Sequence, residues 1–272
     1  MARIKALSLL VVTLAACSTT PPQSSNPPAS PPAQAAAPAQ TPAGTAPADA
    51  KAVDPAAIQA LDNMGKYLQT LKQFEVMIEL SGERVLADGQ KLQHSANADL
   101  DVQRPNKIRA QMRTANSSRD LIYDGKTVTL YAPAQKYYSQ AKFDDNLGVL
   151  AHRLRDRYGV ELPSADLFLW GTDAAPLDNM QSAMNAGQDF VGGDVCDHYV
   201  FRQGQIDWQI WIATGARPLP RKLVITNRAD EARPQSVTLY KWKPNAKFGN
   251  DVFAFKPPQD AKVAEFVPVK PR

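Results

Sequence analysis

Cysteine is scarce in this 272-residue chain: there are two, Cys17 and Cys196. At most one bridge could form, so a disulfide framework is excluded as the source of stability. Histidine is nearly as rare, with His94, His152 and His198. A catalytic zinc site needs three protein donors; Asp194, Cys196 and His198 share one strand face and His94 lies on another strand, but nothing in the spacing requires them to converge, and no metal is expected. There is no Gly-x-Ser-x-Gly elbow, no phosphate loop and no dinucleotide fingerprint, so no cofactor is expected. Beyond residue 16 no apolar run approaches the roughly 18 residues that a spanning helix requires. A strong excess of either charge is also missing. Lys and Arg number 31 against 27 Asp and Glu, a net +4, and the cations are dispersed, which argues against a nucleic-acid partner.

What is present begins at the N-terminus. Arg3 and Lys5 precede an apolar stretch, Ala6 to Ala16, that has the length of a secretory signal and not of a span. It ends in Leu14-Ala15-Ala16-Cys17, which resembles the lipobox of bacterial lipoproteins. The resemblance implies that residues 1–16 are removed and that Cys17 carries acyl chains, enough for stable anchoring in a membrane. Ser18, in place of aspartate, implies delivery to the outer membrane. Cys196 would then have no intrachain partner. Residues 17–53 form a Pro/Ala/Ser-rich linker with too little apolar bulk for a core, and are expected to be a disordered tether. The folded part is therefore residues 54–272, one β-rich domain.

Asp54-Pro55 reads as an N-cap followed by proline at the first helical position. Ile58, Leu61, Met64, Leu68 and Leu71 follow at helical spacing, so a helix is predicted over 55–72. Then the period becomes two. Over Lys91 to Gln103 the even positions, Leu92, Ala96, Ala98, Leu100 and Val102 among them, oppose an all-polar odd face. Ile108, Ala110 and Met112 repeat the pattern, as expected of antiparallel strands with one wet and one dry face. A hairpin is expected at Asp124-Gly125 and a strand over 136–141. The sheet is then interrupted by a helical insertion at 144–186, with helices at 147–158, at 164–170 behind Ser164, and at 176–186 ending at Gly187. Strands resume at 194–202, 206–214, 222–227 and 236–242, with Gly192-Gly193 as a turn.

Such strands must curl around a shared core or stack on a second layer. Ala96 and Ala98, small between Leu92 and Leu100 and near Met112, leave space that suits an acyl chain; equally, the first helix could fill it. Trp208, Ile210 and Ile212 share one strand face and Trp211 lies on the other. The first face is read either as buried under the insertion, as a cavity wall, or as a docking surface for a protein. Arg217 and Arg221 are read as headgroup ligands at a rim or as parts of a solvated loop. Cys196 and His198, two apart on a strand, would be too distant for direct nucleophile–base contact, and the simpler reading is a small core thiol.

Many segments carry a resemblance. They are Tyr123-Asp124-Gly125-Lys126, Arg157 to Pro163, Ala165-Asp166-Leu167 through Trp170-Gly171, Gly192-Gly193 with Asp197-His198-Tyr199, Asp207 to Ile212, and Arg217 to Ile225. In this order they resemble a family of predicted periplasmic proteins, the domain of unknown function numbered 2092, over about residues 54 to 260. That family is similar to the lipoprotein carriers and receptors LolA and LolB. The resemblance implies a half-open antiparallel β-barrel, helices plugging its mouth, and a cavity for acyl chains. Asp251 to Pro258 resembles the closing strand of that superfamily. The expectation is a non-enzymatic envelope lipoprotein that binds a lipid, an acyl chain or a lipidated protein, with Leu92, Ala96, Ala98, Leu100, Met112, Trp208, Ile210, Arg217 and Arg221 as ligand contacts. A scaffold that recruits an envelope protein is the alternative, and an enzyme built on Cys196 and His198 a third.

Overall fold

The computed structural model describes residues 52–249 and 251–268. Signal, lipobox and nearly all of the tether lie outside the described residues. Helix α1 spans Pro55–Thr70; the Asp54 carboxylate accepts from the Ala56 N–H at 2.8 Å, and Ala57, Leu61, Met64 and Leu68 are buried. Helix α2 spans Leu147–Tyr158, capped by Asn146 and ended by Gly159 in the left-handed conformation, and it buries Leu147, Leu150 and Leu154. The strands are β1 (Gln73–Val85), β2 (Lys91–Gln103), β3 (Lys107–Arg113), β4 (Ser118–Tyr123), β5 (Thr127–Ala132), β6 (Tyr137–Lys142), β7 (Met180–Val191), β8 (Asp194–Gln203), β9 (Ile206–Ala213), β10 (Pro220–Asn227), β11 (Gln235–Pro244) and β12 (Lys262–Val263).

All of these form one sheet in the order β12-β6-β5-β4-β3-β2-β1-β11-β10-β9-β8-β7, antiparallel except where β12 joins β6 in parallel. The two end strands are not paired to each other, so the sheet is curved and unclosed, and it is not a closed barrel. Strand β1 sits at its middle, paired over its length with β2 and across nine positions with β11. Its alternation places Phe74, Val76 and Ile78 on the dry face, where they join Ala98, Leu100 and Val102 of β2, the buried residues of α1 and those of α2 in one core. The wet face carries cross-strand ion pairs, Glu75–Lys243 at 2.7 Å and Glu79–Lys241 at 2.6 Å. These are exposed and each is worth no more than about 1 kcal/mol.

Three expectations need correction. Residues 176–186 are not helical: β7 runs through them, paired with β8 from Met180 to Val191. The Met/Ala/Gln-rich stretch favours a helix locally, but a full ladder of hydrogen bonds to β8 outweighs a preference of tenths of a kcal/mol per residue. Gly187 falls at a register shift in the strand and is not a helix terminator. The insertion therefore ends before Met180. Within it, Ser164 precedes only a 3-10 turn, Ala165–Phe168, and makes no side-chain cap. Finally, Asp251 to Pro258 is a turn followed by irregular chain, and β12 takes the edge beside β6. Phe255 instead packs on Tyr131 and Tyr138 at 5.5 and 5.2 Å.

The Gly192-Gly193 turn is as expected. It joins β7 to β8 with φ of 60° and 90°, a two-residue connection whose positive φ at both positions favours glycine.

Candidate functional site

Strands β8 to β11 place one set of alternate residues on the dry face. Tyr199 and Phe201 come from β8, Trp208 and Ile210 from β9, Leu223 and Ile225 from β10, and Thr238, Tyr240 and Trp242 from β11. Cross-strand partners meet there. Phe201 and Trp208 stack at 4.1 Å and 17°, a contact worth about 1 kcal/mol beyond burial. Over this face crosses the connection from the 3-10 turn to β7.

That connection is tied down from several elements. Gly171, at φ 77°, lies against the backbone of Gly65 in α1, where neither residue leaves room for a side chain. Gln69 of α1 donates to the Trp170 carbonyl at 2.7 Å, and Arg104, between β2 and β3, donates to the Leu167 carbonyl at 3.2 Å. From below, Gln203 donates to the carbonyls of Pro176 at 3.0 Å and Asp178 at 2.6 Å. Its oxygen accepts from the Trp208 indole at 3.1 Å. One glutamine thus joins the sheet to its cover.

Between cover and sheet lies a cavity of about 200 Å³. Leu167, Trp170 and Pro176 form its roof, and Ile206, Trp208, Ile210, Pro220, Leu223, Ile225 and Tyr240 its floor. Asp166 and Gln203 are its polar lining side chains. A second cavity, about 300 Å³, shares Asp166, Leu223, Ile225 and Tyr240 with the first and extends to His152, Arg155 and Glu161. The first alone is small for a ligand site, whereas the pair reaches the usual size range.

Asp166 stands at the shared wall. It keeps accessible surface, yet protein atoms crowd it enough that desolvation raises its carboxyl above the ordinary carboxylate value, while Arg155 and His152 pull the other way. Burial pushes the Tyr240 phenol far up, and its oxygen accepts from the Ser164 hydroxyl at 3.2 Å. Asp166 is the acidic side chain that lines both cavities.

Of the sequence-derived contacts, Trp208 and Ile210 line the first cavity. Ala98 and Leu100 are both 1% exposed and belong to the filled core with α1 and α2, which is the packed alternative. Ala96 and Met112 are half-buried, and Leu92 is exposed at the start of β2. None of these five lines either cavity. Arg217 is exposed in the loop before β10, and Arg221 pairs with Asp194 at 2.8 Å at the bulge between β9 and β10. Sequence reasoning missed Leu223, Ile225 and Tyr240. Their alternation was legible, but their neighbour across the cavity, the Leu167–Pro176 segment, is set by tertiary contacts.

Cys196 and His198 lie on the opposite face. Cys196 is fully buried beside Trp211, Ala213 and Val224; burial raises its thiol, which approaches the Asp194 carbonyl at 3.7 Å. His198 stacks on Trp211 at 4.0 Å and bonds the Gln209 side chain at 2.9 Å, and burial lowers its pKa. Lys222 covers the same indole at 4.3 Å. Trp211 is thus enclosed by polar side chains, which resolves the tryptophan on each face of β9: both are 5% exposed. Among the described residues no three His, Cys, Asp or Glu side chains converge as metal ligands.

The family model described as "Predicted periplasmic protein (DUF2092)" matches residues 57–267. The chain belongs to this family. Solved structures similar to this DUF2092 protein include the lipoprotein LppX of Mycobacterium tuberculosis, at 15% identity and TM-score 0.45, over 73% of this chain and 100% of that one. LprF of Mycobacterium bovis is similar at 12% identity and TM-score 0.45, over 77% and 99%. A LolA superfamily protein of Nitrosomonas europaea is similar at 10% identity and TM-score 0.34, over 73% and 97%. A sequence comparison with curated proteins finds no match.

Proposed function

We propose that this chain is a membrane-anchored periplasmic lipoprotein that takes up the apolar part of an amphipathic molecule, an acyl chain of a lipid or of a lipidated protein. One observation carries the reading: a cavity of about 200 Å³ between the curved sheet and a tied-down cover, walled by Leu167, Trp170, Ile206, Trp208, Ile210, Leu223 and Ile225. Each methylene moved there from water contributes roughly 0.8 kcal/mol. The second, more polar cavity beside it gives a headgroup a place near His152 and Arg155. No bond needs to be made or broken for this function, and the protein acts by binding, without catalysis.

Anchoring rests on the lipobox at Cys17, with residues 1–16 as signal, 17–53 as tether and 54–272 as the binding domain; Ser18 favours the outer membrane. Substituting Cys17→Ser should move the protein from the membrane fraction to the soluble periplasm and abolish incorporation of labelled palmitate. The binding reading is tested by native mass spectrometry of the full chain released from neutral detergent. A stoichiometric adduct of lipid mass, lost in Ile210→Trp, is expected. An apo mass that takes up no added phospholipid would overturn it.

A second reading, recruitment of an envelope protein, has one observation in its favour. Phe190 is 74% exposed on β7, the strand at one end of the sheet. A Phe190→Ser variant with unchanged lipid uptake but lost co-purification of a partner would select it.

A further inference from the structure

A separate cavity of about 510 Å³ lies where the end of α1, the turn between β2 and β3, and the start of α2 meet. Its lining includes Lys72, Arg104, Gln69, Asn146, Gly148 and Thr172, and no carboxylate. We propose that it binds a phosphate group, held by the Arg104 guanidinium, the Lys72 ammonium and the Gly148 N–H. This site goes beyond the acyl-binding reading and does not depend on it.

The cations come first. Some cations of the fold are paired, as Arg113 is with Asp99 and Arg153 with Asp145. Neither Lys72 nor Arg104 forms an ion pair among the described residues, although both face one cavity. Arg104 is held in place by Leu167, through the bond to its carbonyl, and by the rings of Phe74 and Phe168 at 6.0 and 5.7 Å. Its Nε is buried and has no acceptor. A half-buried guanidinium whose Nε is unused and which has no counter-charge is a costly arrangement for folding alone. Desolvation accordingly lowers its pKa, a cost that an arriving anion would relieve.

The backbone adds a third donor. At the start of α2 the Leu147 N–H donates to the Pro105 carbonyl, the Val149 N–H to the Asn146 side chain, and the Leu150 N–H to the Asn146 carbonyl. Gly148 N–H has no acceptor among the described residues, and Gly148 lines the cavity. Asp145, the nearest carboxylate in sequence, is engaged by Arg153 at 2.6 Å and is not in the lining. A planar guanidinium, a mobile ammonium and a backbone N–H approaching from three elements match a tetrahedral oxyanion better than a planar one. Phosphate reaches such a site either free or as a phospholipid headgroup.

The test titrates the full chain, in neutral detergent and phosphate-free buffer, with inorganic phosphate and separately with dihexanoylphosphatidylglycerol. Calorimetry gives affinity and amide NMR follows Gly148. Saturable binding of either probe, displacement of the Gly148 amide, and at least tenfold weaker binding in Lys72→Gln support the site. Binding of phosphate itself identifies a free-anion site, and binding of the lipid probe alone identifies a headgroup site. Lys72 is exposed, so its variant keeps the fold; Arg104→Gln, checked for an unchanged spectrum elsewhere, should weaken binding further. Absence of binding by both probes, or binding indifferent to Lys72→Gln, would overturn the proposal. Loss of lipid binding in Ile210→Trp with phosphate binding retained would show the two sites to be independent.

Discussion

Substituting Gly65→Ala is expected to loosen the cover of the cavity without removing any polar side chain of the site. Gly65 lies inside α1 and is buried. A Cβ built there would sit 2.9 Å from Gly171 Cα and 3.0 Å from the Trp170 carbonyl carbon, and closer still to Gly171 N. Carbon atoms in contact prefer about 3.5–4.0 Å, so backbone must retreat by roughly half an ångström or more. Two effects oppose each other. Alanine in a helix interior is favoured over glycine by about 1 kcal/mol, and overpacking costs about 1–3 kcal/mol. The atoms struck are backbone, anchored by the Gln69 bond to the Trp170 carbonyl, so the clash falls at the upper end. The net loss is about 2 kcal/mol, or roughly 4–8 °C in Tm for a domain of this size. Urea unfolding followed by tryptophan fluorescence measures it, and the same sample should bind lipid more weakly because Trp170 is displaced from the roof. A Gly65→Ala protein as stable as the parent, or more so, would mean that helix propensity alone rules and that the cover does not rest on α1. Gly171→Ala should cost more, since it adds a side chain at φ 77° to the same clash.

Three further outcomes are expected. Trp208→Phe keeps the stack on Phe201 but leaves the Gln203 oxygen without its donor, which should cost about 1–3 kcal/mol in urea unfolding with lipid uptake largely retained; a change within error would remove Gln203 from its bridging role. Asp166 has its pKa raised by desolvation in the folded state, so the native protein binds more protons there than the unfolded chain between the two pKa values, and stability falls as pH rises through that window. Asp166→Asn should therefore be more stable than the parent at pH 7, with the gap closing as pH drops below the ordinary aspartate value; midpoints in urea from pH 4 to 8 test this, and an equal gap at all pH values would refute it. Cys196→Ala should cost about 1 kcal/mol, the loss of one buried atom, and leave lipid uptake unchanged, whereas loss of uptake at parental stability would return Cys196 to the functional site.

The legible parts of this chain are those set by local pattern. Asp54-Pro55 and the spacing of Leu61, Met64 and Leu68 announce α1, because capping and a 3.6-residue period act within a few residues. Two-residue alternation announces β2, β3 and β8 to β11, and glycine at positive φ announces the turn at Gly192-Gly193. Family membership was equally legible, since it rests on ordered segments and not on packing. Residues 176–186 were read wrongly because methionine and alanine state a helical preference, and only β8 supplies the ladder that overrules it.

The site divides along the same line. Alternation put Trp208 and Ile210 on a dry face, but it put Ala98 and Leu100 on one too, and periodicity cannot tell a filled dry face from an empty one. What distinguishes them is which distant segment lies above: the helices over β1 and β2, and over β8 to β11 a connection packed on α1 at Gly65 and tied to the sheet by Gln203. Likewise Lys72, Arg104 and Gly148 share no motif, being separated along the chain and brought together by three different elements. Sequence alone determined the family, the helices α1 and α2 and the alternating faces, because each arises from neighbours in the chain. The position of the cavities and of the unpaired cations was decided by the tertiary structure, because a void is a property of contacts that are not made.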